Sequence, residues 1–132
     1  MSPVQSIQFF VALNLFIMGL SHFLQPGIWI QFFQFLYQKG HVGNIFNAML
    51  SVGMGSIILA FHWLWNWPLV LVTLYGLALL LKGFIFLIFP SIGLRSIGSV
   101  NEKAWKFKWV GLMMCILSLM LAYPLISTGV LG

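Results

Sequence analysis

Four separate stretches of this chain are each apolar for long enough to cross a lipid bilayer. The hydrocarbon core is ~30 Å thick and a helix rises ~1.5 Å per residue, so about 20 apolar residues in a row are needed. Residues 4–24, 42–61, 68–89 and 100–125 each meet that length. Inside lipid no water is present to bond backbone N–H and C=O groups, so such runs must be helical. The fold class that follows is all-α: a polytopic membrane protein whose four transmembrane helices form two tandem hairpins in a single domain over residues 1–132. Composition agrees, with 61% hydrophobic and 5% charged residues. A soluble domain carries roughly 25% charged residues to face water.

The net charge of +5 resembles a nucleic-acid signal only until the charges are located. Arg95, Lys103, Lys106 and Lys108 lie together beside an apolar run, which is the pattern of a topology determinant that also meets anionic lipid headgroups. Nucleic acid is therefore not an expected partner; membrane lipid is. Loops 1–2 and 3–4 hold five of the six bases, and the positive-inside rule places them in the cytoplasm with both termini outside the cell membrane. The sixth base, Lys82, falls inside the third run. A charge there costs roughly 2.5–3.5 kcal/mol, whereas each Leu, Ile, Val or Phe returns about 0.3–0.6 kcal/mol. Fifteen such residues stand in residues 68–89, so the run still spans. No Lys or Arg precedes Lys39 and no small-x-small cleavage site follows the first run, so that run is expected to stay as a helix.

Polar residues within the spans sort onto faces. Gln5, Ser6 and Gln8 mark the wet start of helix 1, and Pro26 stops it by lacking an N–H. Asn14, Ser21 and His22 share one side of that helix and should meet other helices. Residues 27–38 repeat glutamine at Gln31, Gln34 and Gln38 among aromatics and are too short to span. They predict an interfacial helix anchored by Trp29 and Tyr37. Asn44, Asn47, Ser51 and Gly55 make one packing face on helix 2, and Gly111, Cys115, Ser118 and Ala122 make another on helix 4. The turn 62–68 carries three tryptophans and belongs at a membrane surface. Ser99 and Glu102 have capping-box spacing, which predicts that helix 4 begins near Val100.

The chain also repeats. At a spacing of 64, Leu13, Leu15, Gly19, Pro26 and Ile28 match Leu77, Leu79, Gly83, Pro90 and Ile92. At a spacing of 58, Val52-Gly53 and Ile58-Leu59 match Val110-Gly111 and Ile116-Leu117. A parallel duplication is the expectation.

Candidate chemistry is sparse. His22 and His41 belong near the basic side and His62 at the opposite surface, so His62 cannot share a haem or metal with either. His22 with His41 stays open as a pair, but no carboxylate or cysteine is close in sequence to complete a site, so no metal site is expected. His22 reads first as a hydrogen-bonded interfacial histidine, and second as a ligand or proton relay. Lys82 reads first as a cation snorkelling to the headgroups, and second as a group aimed at a substrate, lipid phosphate or quinone oxygen. Glu102, the one acid, reads first as a helix cap and second as a partner that reaches Lys82 if loop 3–4 folds inward. Met49, Met54, Met113, Met114 and Met120 lack Met-x-x-Met spacing and fit core filling better than copper. Cys115 has no second cysteine with which to form a disulfide. No carboxylate lies in a span, and neither a phosphate loop nor a Ser-His-acid set is present.

Leu15-Phe-Ile-Met-Gly-Leu-Ser-His-Phe-Leu-Gln-Pro-Gly-Ile-Trp29, then an aromatic amphipathic stretch, then a glycine-containing helix, resembles the DoxX-like family of small bacterial four-helix membrane proteins. The resemblance covers the first 90 residues or so. Gly19, His22 and Pro26 match that family's feature ending helix 1, whereas the polar or charged residue it often places early in helix 1 is missing. The resemblance implies a bundle that sometimes serves as a membrane subunit of a quinone-linked oxidoreductase. Two functions follow as expectations. The first is a non-catalytic membrane subunit or scaffold that packs with copies of itself or other membrane subunits, with no cofactor. The second is a component of a quinone-linked redox or small-molecule or lipid transport system, with a ligand site at His22, Lys82, Asn14 and Ser21.

Overall fold

A computed structural model describes residues 1–100 and 103–129. Six helices follow in order: α1 (Pro3–Leu24), α2 (Pro26–Gln38), α3 (His41–Phe61), α4 (Val70–Ile88), α5 (Pro90–Gly98) and α6 (Ala104–Ser127). The four long ones, α1, α3, α4 and α6, have 19 to 24 residues and high mean hydropathy. Each is long enough to cross a bilayer core. The protein is an all-α, multi-pass membrane bundle.

Local signals explain where the helices start and stop. At the start of α1, Ser2 Oγ accepts from Gln5 N at 3.1 Å while Gln5 Oε1 accepts from Ser2 N at 2.9 Å, with Pro3 in the first turn. This reciprocal cap satisfies two donors that the first turn would leave unpaired. Pro26 and Pro90 end α1 and α4 and each becomes the first residue of a short helix. Between α2 and α3, Gly40 adopts φ of 60°, a left-handed turn that a side chain would disfavour.

Three boundaries differ from the sequence reading. Residues 90–98, read as loop, form α5, so α6 begins at Ala104 rather than near Val100. Lys103 rather than Ser99 stands at the N-cap of α6, and the Ser99 hydroxyl donates to Ser96 O at 2.7 Å at the end of α5. Glu102 lies outside the described residues. α4 begins at Val70 because Asn66 to Leu69 form a turn, with Val70 N bonded to Asn66 O at 2.8 Å.

With α5 present, the duplication becomes a repeat of spanning helix, short helix, spanning helix. Connectivity is that of two tandem hairpins, but the closest helix pairs cross between the halves: α1 lies on α6, and α3 on α4. A Cβ on Gly19 would meet Gly111 O and Cys115 N at 2.8 and 3.0 Å. A Cβ on Gly83 would meet Ala48 O and Val52 N at 2.8 and 2.9 Å. Gly111 and Cys115 stand 63 positions after Ala48 and Val52, so the second spanning helices match at 63, not 58. Between the two pairs, the half of the bundle away from the short helices is closed by Val11, Leu15, Ile58, Val72 and Leu121.

The small-residue faces are internal. Gly111 and Ser118 are buried against α1, and Cys115 Sγ lies 3.8 Å from Phe16 O. Asn44, Asn47, Ser51 and Gly55 are buried, and a Cβ on Gly55 would strike the α4 backbone at Gly76 and Leu80. Both faces join helices of this chain rather than offering themselves to a partner. Along the membrane-facing outside, all four spans expose large apolar side chains.

Candidate functional site

The two ends of the bundle differ in chemistry. The basic end carries α2, α5 and Lys39, Arg95, Lys103, Lys106 and Lys108. The opposite end carries the start of α1, the end of α6 and the tryptophan loop.

At the basic end, α1 and α4 each leave their span at a proline, and the two corners are built from equivalent positions. Around the first lie His22, Trp29 and Phe107. Around the second lie Phe86, Gly93 and Asn44. His22 Nδ1 donates to Met18 O at 2.7 Å, which fixes the tautomer and leaves Nε2 as a bare lone pair. The His22 ring stacks on Trp29 with centroids 4.1 Å apart and faces Phe107 at 5.9 Å. Trp29 Nε1 donates to Ser21 Oγ at 2.8 Å. Trp29 thus turns in toward the bundle instead of serving as a free interfacial anchor, and α2 is held down by it. Phe32 and Phe33 continue the aromatic cluster back to Phe107.

The second corner is closed by a hydrogen bond. Phe86 O would ordinarily accept from the residue four positions on, but that residue is Pro90, which has no N–H. Asn44 Nδ2, from α3, donates to Phe86 O at 3.0 Å in its place. Its own Oδ1 is buried with no partner among the described residues. Gly93 lies directly against the Asn44 amide, and any Cβ there would overlap it.

The residues grouped as a ligand set do not converge. Asn14 Nδ2 bonds Phe10 O on its own helix at 2.9 Å. Ser21 serves Trp29. Lys82 stands six residues before the end of α4, with Nζ 5.7 Å from the Phe86 ring. Phe86 is one turn nearer the basic end, so the ammonium points that way, as a snorkelling lysine does. No hydrogen bond or ring contact among the described residues joins Lys82 to His22. His41 is exposed. No group of three His, Cys, Asp or Glu side chains among the described residues could hold a metal.

Sequence reading missed a polar network at the opposite end. The sequence places His62 in a surface turn and Gln8 at a wet helix end, yet both are buried, His62 completely. Thr73 Oγ1 donates its one proton to Leu64 O at 2.8 Å and accepts from Leu64 N at 3.2 Å. His62 Nδ1, 3.0 Å from the same oxygen, must therefore be the protonated nitrogen, and Nε2 accepts from Gln8 Nε2 at 3.1 Å. Burial lowers the His62 pKa below 6.5, opposed in part by its own backbone carbonyl. The neutral ring ties α1 to α4 across the start of the loop. Trp63, Trp65 and Trp67 remain exposed around it, as interfacial indoles should. The one available signal is a histidine opening an uncharged, tryptophan-rich turn.

Clefts on the outside are mostly apolar. One beside α6, about 540 Å³, runs between α6 and the start of α4, from Trp67 and Leu71 past Met120 and Met113 to Trp109. Another, of about 470 Å³, lies between α2 and α5 beside Tyr37 and Arg95. Comparison of the chain with family models, curated proteins and solved structures finds no match in any of the three.

Proposed function

We propose that this chain is a non-catalytic integral membrane subunit or scaffold, a self-contained bundle that packs in the membrane with copies of itself or other membrane subunits. The observation that carries this reading is the use to which the buried polar groups are put. His62, Gln8 and Thr73 satisfy one another, Asn44 replaces the proline's missing donor, and Ser21 and Trp29 fasten a short helix. Each closes a joint between helices. α6 buries the smallest share of its span and α1 the largest, which leaves the α4–α6 side open to lipid or a neighbouring protein. The DoxX-like resemblance fits this reading through Gly19, His22 and Pro26, followed directly by an interfacial helix. With it goes a bacterial cell membrane, the basic end in the cytoplasm and both termini outside.

A second reading rests on Lys82 and His22. Lys82 is a half-buried cation in a span, and His22 Nε2, at the same end, has no hydrogen bond among the described residues. These are groups that a quinone oxygen or an anionic substrate could approach. Purification in mild detergent, with a visible spectrum and identification of co-eluting molecules, separates the two. The scaffold reading expects a defined membrane protein or a second copy and no chromophore. A stoichiometric quinone, lost in Lys82→Met while expression is unchanged, would replace it with the second.

A further inference from the structure

We propose that the start of α6 holds one anionic phospholipid of the leaflet on the basic side, with its phosphate at Lys108 and one acyl chain in the α4–α6 groove. This goes beyond the scaffold reading and rests only on the bundle lying in a membrane. A cleft of about 250 Å³ is lined by Phe23, Trp105, Lys108, Trp109 and Leu112. Lys108 Nζ lies 5.8 Å from the Phe23 ring, next to the last residue of α1. The cation is thus held at the depth where a span ends and headgroups begin. Trp109 also forms one end of the larger α4–α6 groove, so the two cavities share a wall. From Trp109 to Met120 the groove follows α6 for about 16 Å, roughly half the ~30 Å hydrocarbon core and hence the reach of one leaflet's chain.

The internal repeat shows that helix packing does not require these residues. The positions equivalent to Phe23, Trp105, Lys108, Trp109 and Leu112 are Leu87, Val42, Ile45, Phe46 and Met49. That copy of the surface is wholly apolar. The equivalent helices α1 and α3 touch, whereas α4 and α6 stand apart and leave the groove. One half of the duplication has therefore acquired a cation, two indoles and an open chain-sized slot together. The whole chain has one acidic residue against six Lys and Arg, so most of the neutralising charge at this end has to come from outside it. A phosphodiester supplies that charge, and its attached chain has the chemistry of the groove walls. A zwitterionic lipid brings its own cation to Lys108 and gains less.

Native mass spectrometry of the full chain in mild detergent, titrated with phosphatidylglycerol or with phosphatidylcholine of the same chains, tests this. One phosphatidylglycerol should be retained in preference to phosphatidylcholine. Lys108→Gln should lower phosphatidylglycerol retention about fivefold, to the level of phosphatidylcholine. Met113→Trp, at a largely exposed position in the groove, should reduce retention of both lipids, and Arg95→Gln, in the other basic cleft, should change neither. Equal retention of the two lipids by the unaltered protein would overturn the proposal. So would unchanged binding in Lys108→Gln or Met113→Trp, or an equal loss in Arg95→Gln, which would reduce the effect to general surface charge.

Discussion

The corners at Pro26 and Pro90 begin from the same backbone problem, a spanning helix stopped by a residue that cannot donate, and the chain solves it in two ways. The second corner replaces the missing donor with Asn44, a side chain from the neighbouring helix, and needs Gly93 to make room for it. The first puts Trp29 where the second has Gly93 and Phe107 where the second has Asn44, and stacks both against His22. One corner is held by a bond to the freed carbonyl, the other by ring stacking with a Trp29–Ser21 hydrogen bond beside it. The difference teaches that duplication preserved the path of the backbone and left the chemistry of the joints free to diverge.

The comparison would break most severely at the shared crossing points. Gly19→Leu and Gly83→Leu both drive a side chain into the backbone of a facing helix, which cannot yield as a side-chain tip can. Each should cost about 3 kcal/mol or more and abolish a monodisperse peak on size exclusion. If only one did so, the two helix pairs would not be equivalent. Gly93→Ala sharpens the contrast by pressing a methyl into the Asn44 amide, at about 2 kcal/mol in a detergent unfolding titration. Asn44→Ala in the same chain should recover most of that loss, because the two residues are one unit. At the other corner Trp29→Ala should cost about 1–2 kcal/mol, through the lost stack and the unpaired Ser21, and should loosen α2 toward protease without dissociating the spans. The smallest effect belongs to the far end. His62 is neutral in the fold with a lowered pKa, so the unfolded chain takes up the proton first as pH falls. Its contribution is complete above about pH 6.5 and declines below it. His62→Asn should flatten that part of the pH dependence of thermal unfolding relative to the unaltered protein.

Much of this fold is written in local pattern. Four spans follow from length and hydropathy, and α2 from its glutamine stripe. The buried faces of α3 and α6 were visible as Asn44, Asn47, Ser51 and Gly55, and as Gly111, Cys115 and Ser118, because small and amide side chains at helical spacing are costly toward lipid. Which helix each face meets was not legible, since nothing local distinguishes Gly19 as a partner for Gly111 from Gly19 as a partner for α3. α5 escaped because Pro-Ser-Ile-Gly-Leu-Arg-Ser-Ile-Gly has weak helix propensity, and its helicity depends on a seat against α2, α3 and α4. The Gln8–His62 bond joins residues 54 apart, and the polarity of Gln8 argued for water when the structure buries it. The ligand set drawn around His22 and Lys82 grouped residues by type and depth, while their actual neighbours are Trp29, Phe107 and Phe86.

The crossed pairing of α1 with α6 and of α3 with α4 also has a meaning in time. A chain entering a membrane from its N-terminus presents α3 and then α4, adjacent in sequence, so that pair can close while synthesis continues. α1 arrives before both of them, and its partner α6 after both. Until α6 emerges, the face of α1 around Gly19 has no occupant, and the first helix must wait in lipid or be minded by another protein. The architecture thus ties completion of the N-terminal half to the arrival of α6. A chain cut short before α6 leaves α1 unpartnered, with a face that quality control can recognise.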